Sequence, residues 1–173
     1  MKQLLFPLLL LVAGLYISCN SQQSATTDKA KKNLENARAV AKMFETHDYS
    51  KVGDYIAADG VDHSGPRGEV KGLDSIKAEF AEFGNSMSGM KNETVKEIAD
   101  DDYSFQWMKE SWTVTKDEMG MKAGTKMHMD AIEVSKFNAD SKITDHWSFI
   151  SMTDMMKMMQ MPQGNMGMDT TRH

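Results

Sequence analysis

The sequence predicts an α+β domain in which three N-terminal helices pack on one face of a strongly curved antiparallel sheet. The concave side of such a sheet can close into a cone-shaped barrel around a pocket. Three observations carry this prediction. Apolar residues recur at steps of three and four in the first part of the chain, from Ala30 to Phe83. From Thr94 onward the period changes to two, the mark of strands. Between His128 and Trp147 two such strands flank Asn138, Asp140 and Ser141, residue types that turn back on their own backbone.

The chain has 173 residues, 26% charged and 40% hydrophobic, enough for one domain with a real core. A net charge of −5 and the lack of any basic stripe argue against a nucleic-acid partner.

At the N-terminus Lys2 supplies a positive charge, Leu4 to Leu15 form an apolar run, and small Ser18 precedes Cys19. That is the layout of a secretory signal over residues 1–18. The run is too short and one-ended for a transmembrane helix. Cys19 is the only cysteine, so it forms no internal disulfide. Tyr16-Ile17-Ser18-Cys19 resembles the lipobox of bacterial lipoproteins, with Tyr16 where leucine is usual. The resemblance implies cleavage before Cys19, a lipid on its thiol, and a place in the bacterial cell envelope, periplasmic or outer-membrane-associated. Residues 19–28 are small and polar and read as a flexible tether.

From Lys29 to His47, Ala30, Leu34, Ala37, Val40, Ala41 and Phe44 make one buried helical stripe, with Asp28 or Thr27 as cap. His47 ends it, where an imidazolium favours the helix dipole. A short second helix carries Val52, Tyr55 and Ile56. Residues 61–68 are an extended piece ending in a Gly/Pro turn. Gly72 then opens a third helix with Leu73, Ile76, Phe80, Phe83 and Met87 in register.

Thr94 to Ala99 is a strand, and Asp100-Asp101-Asp102 is a turn whose like charges need solvent. Tyr103 to Trp107 alternates cleanly, but Trp112 and Val114 continue with the opposite parity. Either a bulge lies near Lys109 to Ser111, or both faces of this strand are partly covered. After a loop from Asp117 to Gly124 comes the hairpin. In its first strand His128 and Asp130 share a face with Ile132 and Val134, while Glu133 and Ser135 occupy the other. Parity does not say which face looks inward. In the second strand His146 sits between Asp145 and Trp147.

These pieces resemble the SnoaL-like branch of the nuclear transport factor 2-like superfamily, which shares its cone with ketosteroid isomerase. The resemblance is carried by His47-Asp48, by Val61 to Pro66, by the Gly72 to Phe83 helix, by Trp112, and by Phe137 to Trp147. In the last segment Ser141 stands where the family has glycine and Asp145 where it has glutamate. The resemblance spans about residues 29–152 and implies the cone fold. It also implies a carboxylate that moves a proton beside a carbonyl in the family's enzymes, with Asp130 and His63 as the catalytic candidates. The expected pocket is Asp62, His63, Trp107, Trp112, His128, Asp130, His146 and Trp147. It further implies a homodimer through the outer face of the sheet. The leading expectation is a lipid-anchored domain that binds a small apolar or amphipathic ligand without a cofactor. The alternatives are an isomerase- or cyclase-type enzyme and a soft-metal protein.

The last alternative comes from composition. Seventeen residues are methionine, eight of them after residue 151. Thioethers suit Cu(I), and Met155, Met156, Met158, Met159 and Met161 are the candidate ligands. Methionine is equally a flexible apolar filler, and residues 153–161 can form a helix that covers the cone mouth. Residues 153–173 therefore read as a Met-rich tail or lid.

Overall fold

The computed structural model describes residues 27–65, 67–117 and 121–158. The expected signal, Cys19, most of the tether, Met159, Met161 and the rest of the tail lie outside the described residues.

Helix α1 spans Asp28–Thr46. Thr27 caps it by accepting the Ala30 N–H at 2.9 Å, and His47 ends it in the left-handed region at φ 55°. Histidine tolerates that conformation better than most non-glycine residues. Its place is a helix terminus. Asn33, fully buried, donates to the carbonyls of Asp100 and Asp101 at 3.0 and 3.1 Å. The acidic turn thereby pins the start of α1 while its carboxylates stay exposed.

The short helix α2 (Val52–Tyr55) leads directly into strand β1 (Ile56–Asp62), and β2 (Val70–Lys71) pairs back on it. Helix α3 (Leu73–Asn85) follows Gly72, whose φ of 86° suits glycine alone. The helices are therefore not all N-terminal, because two strands separate α2 from α3. Ile56 had fitted the second helix's stripe, but it and Ala57 are buried as the first residues of β1. Met87 likewise does not extend α3. It opens β3 (Met87–Ala99), which starts seven residues before the predicted Thr94.

Strands β4 (Tyr103–Val114), β5 (Lys126–Phe137) and β6 (Ile143–Ile150) complete a six-stranded sheet in the order β2-β1-β6-β5-β4-β3. All neighbours are antiparallel except β1 and β6, which run parallel. The sheet curls but does not close, since β2 and β3 remain edges. Helix α4 (Met152–Met158) follows β6.

The parity puzzle in β4 has a simple answer. Its pairing with β5 runs unbroken from Tyr103↔Lys136 to Thr113↔Lys126, so no bulge intervenes there. Phe105 and Trp107 lie on the outer face, and Gln106, Met108, Trp112 and Val114 lie buried on the inner one. Trp107 is cross-paired with Ile132, and Ile132 with Phe149. All three are exposed, as are Ile98 and Phe105, so the outer face carries an apolar band. The β5–β6 turn is built on Asn138, whose Oδ1 accepts the N–H groups of Asp140 and Lys142. Ser141 closes it at φ 62°, which explains the family's glycine at that position.

Two clusters form the core. One joins α1, α2 and α3 to the sheet through Ala37, Val52, Ile56, Ile76, Phe80, Phe137 and Ile143. The other gathers Met87, Met90, Trp112, Val114, Met121 and Met127. Phe44 packs against both. Burying each such large aliphatic or aromatic side chain contributes about 1.5–3 kcal/mol.

Candidate functional site

A cavity of about 480 Å³ lies between the helices and the concave face of the sheet. Residues from both clusters line it. Its helix wall is apolar, made by Ala37, Val40, Ala41, Phe44, Phe80 and Phe83, with Glu79 of α3 as the exception. Its sheet wall carries Trp112 and several methionines, and also nearly all of the polar groups.

Those polar groups arrive by strand alternation. Residues Gln106 and Glu110 of β4, Glu133 and Ser135 of β5, and His146 and Ser148 of β6 all point to the concave face. Pairing then sets them side by side, Gln106 opposite Glu133, Glu133 opposite Ser148, and Ser135 opposite His146. The parallel contact of β1 with β6 brings Asp62 opposite His146.

The centre of the site is an imidazole held between two carboxylates. His146 Nε2 lies 2.9 Å from Glu133 Oε2. Its Nδ1 lies 3.3 Å from Asp62 Oδ2, near enough for an ion pair though not aligned for a hydrogen bond. Ser148 Oγ donates to Glu133 at 2.7 Å, and the Ser64 N–H donates to Asp62 at 2.8 Å. Burial opposes charge on His146, but the close contacts with the Asp62 and Glu133 carboxylates outweigh burial and hold its pKa at about 10. Burial also raises Asp62, yet His146 and the Ser64 N–H bring its pKa below the usual carboxylate value. At neutral pH the pair is therefore imidazolium and carboxylate.

Glu110 is the opposite case. Burial, then the charge of Glu133, push it up to about 8, so it is mostly protonated at neutral pH. Among the described residues no hydrogen bond holds its charge. Burial raises Glu79 as well, with Asp62 adding to the effect.

The outer face repeats the clamp. His63 stacks on Trp147 with ring centres 4.7 Å apart and planes 6° from parallel. Its Nδ1 is 2.9 Å from Glu69 and its Nε2 is 3.1 Å from Asp145. The Asp145 hydrogen bond raises its pKa most, followed on the same side by Glu69.

Of the residues expected in the pocket, Asp62, Trp112 and His146 line the cavity, and His63 and Trp147 border it from the outer side of β6. Trp107, His128 and Asp130 do not. They share the outer face of β4 and β5 and are exposed, because inward-facing Met129, Ala131 and Glu133 alternate with them. Asp130 is thus removed from any chemistry in the cavity. Glu133 and Ser135, the other face of the same strand, take the positions expected of His128 and Asp130. Sequence reading did not single out Glu110, Glu79 or Gln106. Only their parity with Met108 and Trp112 marked the β4 pair. Of the tail methionines, Met155 reaches the cavity wall. Among the described residues no group of three or more His, Cys, Asp or Glu is placed to hold a metal ion.

A family model described as "SnoaL-like domain" matches residues 37–146, more than half of the chain. The chain belongs to the SnoaL-like family. Solved structures agree on the nuclear transport factor 2-like, ketosteroid isomerase-like fold. A protein from Jannaschia sp., provisionally named a SnoaL-like polyketide cyclase, superimposes with a TM-score of 0.68 at 10% identity, covering 80% of this chain and 98% of its own. A SnoaL-like polyketide cyclase from Agrobacterium tumefaciens gives 0.60 at 12% identity, covering 72% and 95%. An LEH-like epoxide hydrolase of M. tuberculosis gives 0.62 at 11% identity, covering 76% and 92%. No curated protein matches the sequence. At such identities these neighbours establish the SnoaL-like fold alone, and the chemistry must be read from this cavity.

Proposed function

We propose that this SnoaL-like protein is an exported, lipid-anchored binding module whose cavity takes up one small molecule with an apolar body and a polar end. The cavity supports the reading by its volume of about 480 Å³, within the range of about 300–1,000 Å³ typical of small-molecule sites. The decisive observation is the division of its walls. An apolar helix wall suits a hydrocarbon body, and Asp62, Glu110, Glu133 and His146 on the sheet side suit a polar group. Lys2, the apolar run, and Ser18-Cys19 support the anchor.

Native mass spectrometry with octanol tests the reading. One molecule is expected per chain, and Ala41→Trp, which fills the cavity from α1, is expected to abolish uptake in a folded protein. Undiminished uptake by that variant would sink the proposal. In the same experiment Cys19→Ser should move the chain from the membrane fraction to the soluble one with uptake unchanged. Its retention in the membrane would refute the anchor.

One observation favours a second reading, a proton-transfer enzyme. Glu110 is protonated near neutral pH while Asp62 is ionised in the same cavity, and two carboxyl groups driven apart in this way can divide acid and base roles. A carboxylate would take the proton beside a carbonyl, and Glu110 would donate to the developing enolate oxygen. Glu110→Gln should then slow hydrogen–deuterium exchange at the α-carbon of a bound ketone by about 10²-fold. An unchanged rate removes Glu110 from the chemistry.

A further inference from the structure

The cavity wall has an unbalanced set of charges. Four acidic side chains line it: Asp62, Glu79, Glu110 and Glu133. Among the described residues no lysine or arginine does. The cations present are two imidazoles, and each is already committed. His146 is held by Asp62 and Glu133, and His63 by Glu69 and Asp145 on the other face. The inner imidazole is thus shared by Asp62, Glu133 and, more distantly, Glu110, while Glu79 has the charge of Arg67.

Glu110 bears the consequence. From β5 it faces Glu133, and from β6 it faces His146, which is shared by two nearer acids. On β3 its pairing partner is Asn92, and Glu45 of α1, which accepts the Asn92 N–H, brings another negative charge to that side. Lys91 of β3 and Lys109 of β4 border a second cleft with Glu110, but among the described residues neither is ion-paired with it. Glu110 therefore keeps its proton, at the cost of leaving a strong acceptor unused.

A second observation points to a missing occupant. Ser135 is only 4% exposed, lines the cavity, and its hydroxyl has no hydrogen-bond partner among the described residues. Its oxygen opens into the cavity, where an occupant can bond it. The walls around these groups include the rings of Phe44, Phe80, Phe83 and Trp112, whose faces attract cations.

We propose that the ligand of this cavity is a hydrophobic cation, an alkyl or aryl ammonium, whose charged head sits against Glu110 beneath the aromatic wall. The proposal rests on the binding reading above and narrows it to one charge class. An anionic amphiphile would meet four acidic side chains, and a neutral one would leave Glu110 protonated with its acceptor unused. Entry of an ammonium head supplies the missing countercharge. Glu110 then ionises and releases its proton to solvent, so one proton leaves per molecule bound whenever the pH is below its resting pKa of about 8.

Isothermal titration with three probes of equal chain length tests this: octyltrimethylammonium, octanol and octanoate. The cation is expected to bind at least about tenfold more tightly than either of the others. Its affinity should fall by about tenfold per pH unit below about 8, with a buffer-dependent enthalpy that reports the released proton. Glu110→Gln keeps the shape of a side chain that is already neutral and unbonded at rest, so the variant should fold. It should lose the cation preference and the proton release. If octanol or octanoate binds as tightly as the cation, the charge assignment fails and the binding reading stands. If the cation preference survives Glu110→Gln and does not vary with pH, it comes from the net charge of the surface, and the proposal is overturned. If no probe enters, the binding reading itself fails.

Discussion

Replacing His146 with leucine should destabilise the fold by about 3–5 kcal/mol at neutral pH, the range seen when one partner of a buried ion pair is removed. The imidazolium stands between Asp62 and Glu133, and Asp62 is only 7% exposed. Leucine is close in volume, so packing changes little. The loss comes from two carboxylates left without a counterion in a low-dielectric site. Both would respond by binding protons, which gives the prediction a second signature. Carboxyl groups raised above their unfolded pKa make the folded state bind more protons, so the variant should gain stability as pH falls from 7 toward 5. The parent should gain less over that range, because its raised His146 and Glu110 also favour lower pH but its Asp62, lowered by His146, does not. Chemical denaturation at pH 7 and pH 5 measures both. A loss under about 1 kcal/mol, or one that does not change with pH, would mean that the ion pair contributes nothing.

His146 shows how far the sequence could be read. Its presence in Asp145-His146-Trp147 was visible, and so was its resemblance to the family's closing motif. Its partners were not. Asp62 reaches it only because β1 runs parallel to β6, a contact between residues 84 positions apart that no local pattern records. Glu133 reaches it through the hairpin, but the hairpin's two faces are equally patterned. Outward-facing Ile132 is part of an exposed apolar band, and it gave His128 and Asp130 a false inward appearance. A face that is apolar without being buried defeats parity as a guide.

The helices illustrate the other side. Steps of three and four found α1 and α3, because each buries one stripe on the sheet and leaves the rest in water. The same signal failed at Ile56 and Met87, where an apolar residue at helical spacing belongs to the next strand. The methionines were legible only as an excess. Met87, Met90, Met108, Met121, Met129 and Met155 line the cavity, where flexible thioethers can adapt to an occupant.

Replacing the whole charged trio should reverse most of what the single change does. In a triple variant, Asp62→Asn keeps an acceptor for the Ser64 N–H, Glu133→Gln keeps one for Ser148, and His146→Leu removes the cation. No buried charge is then left alone, and exchanging such a group for neutral residues of similar volume is often neutral or favourable. The triple variant should recover at least about 2 kcal/mol relative to His146→Leu alone. It should also have a flatter pH profile than the parent. In the parent, the raised pKa of His146 gives stability that is complete below about 6.5 and is lost as pH rises to about 10. The lowered pKa of Asp62 gives stability present above 3.8 and lost as pH falls below it. Removing both groups removes both flanks. A triple variant as unstable as the single one would mean that the trio holds the sheet together. A stable variant with altered uptake of the cationic probe would mean the opposite. The fold then carries three charges in its cavity for the sake of what enters it.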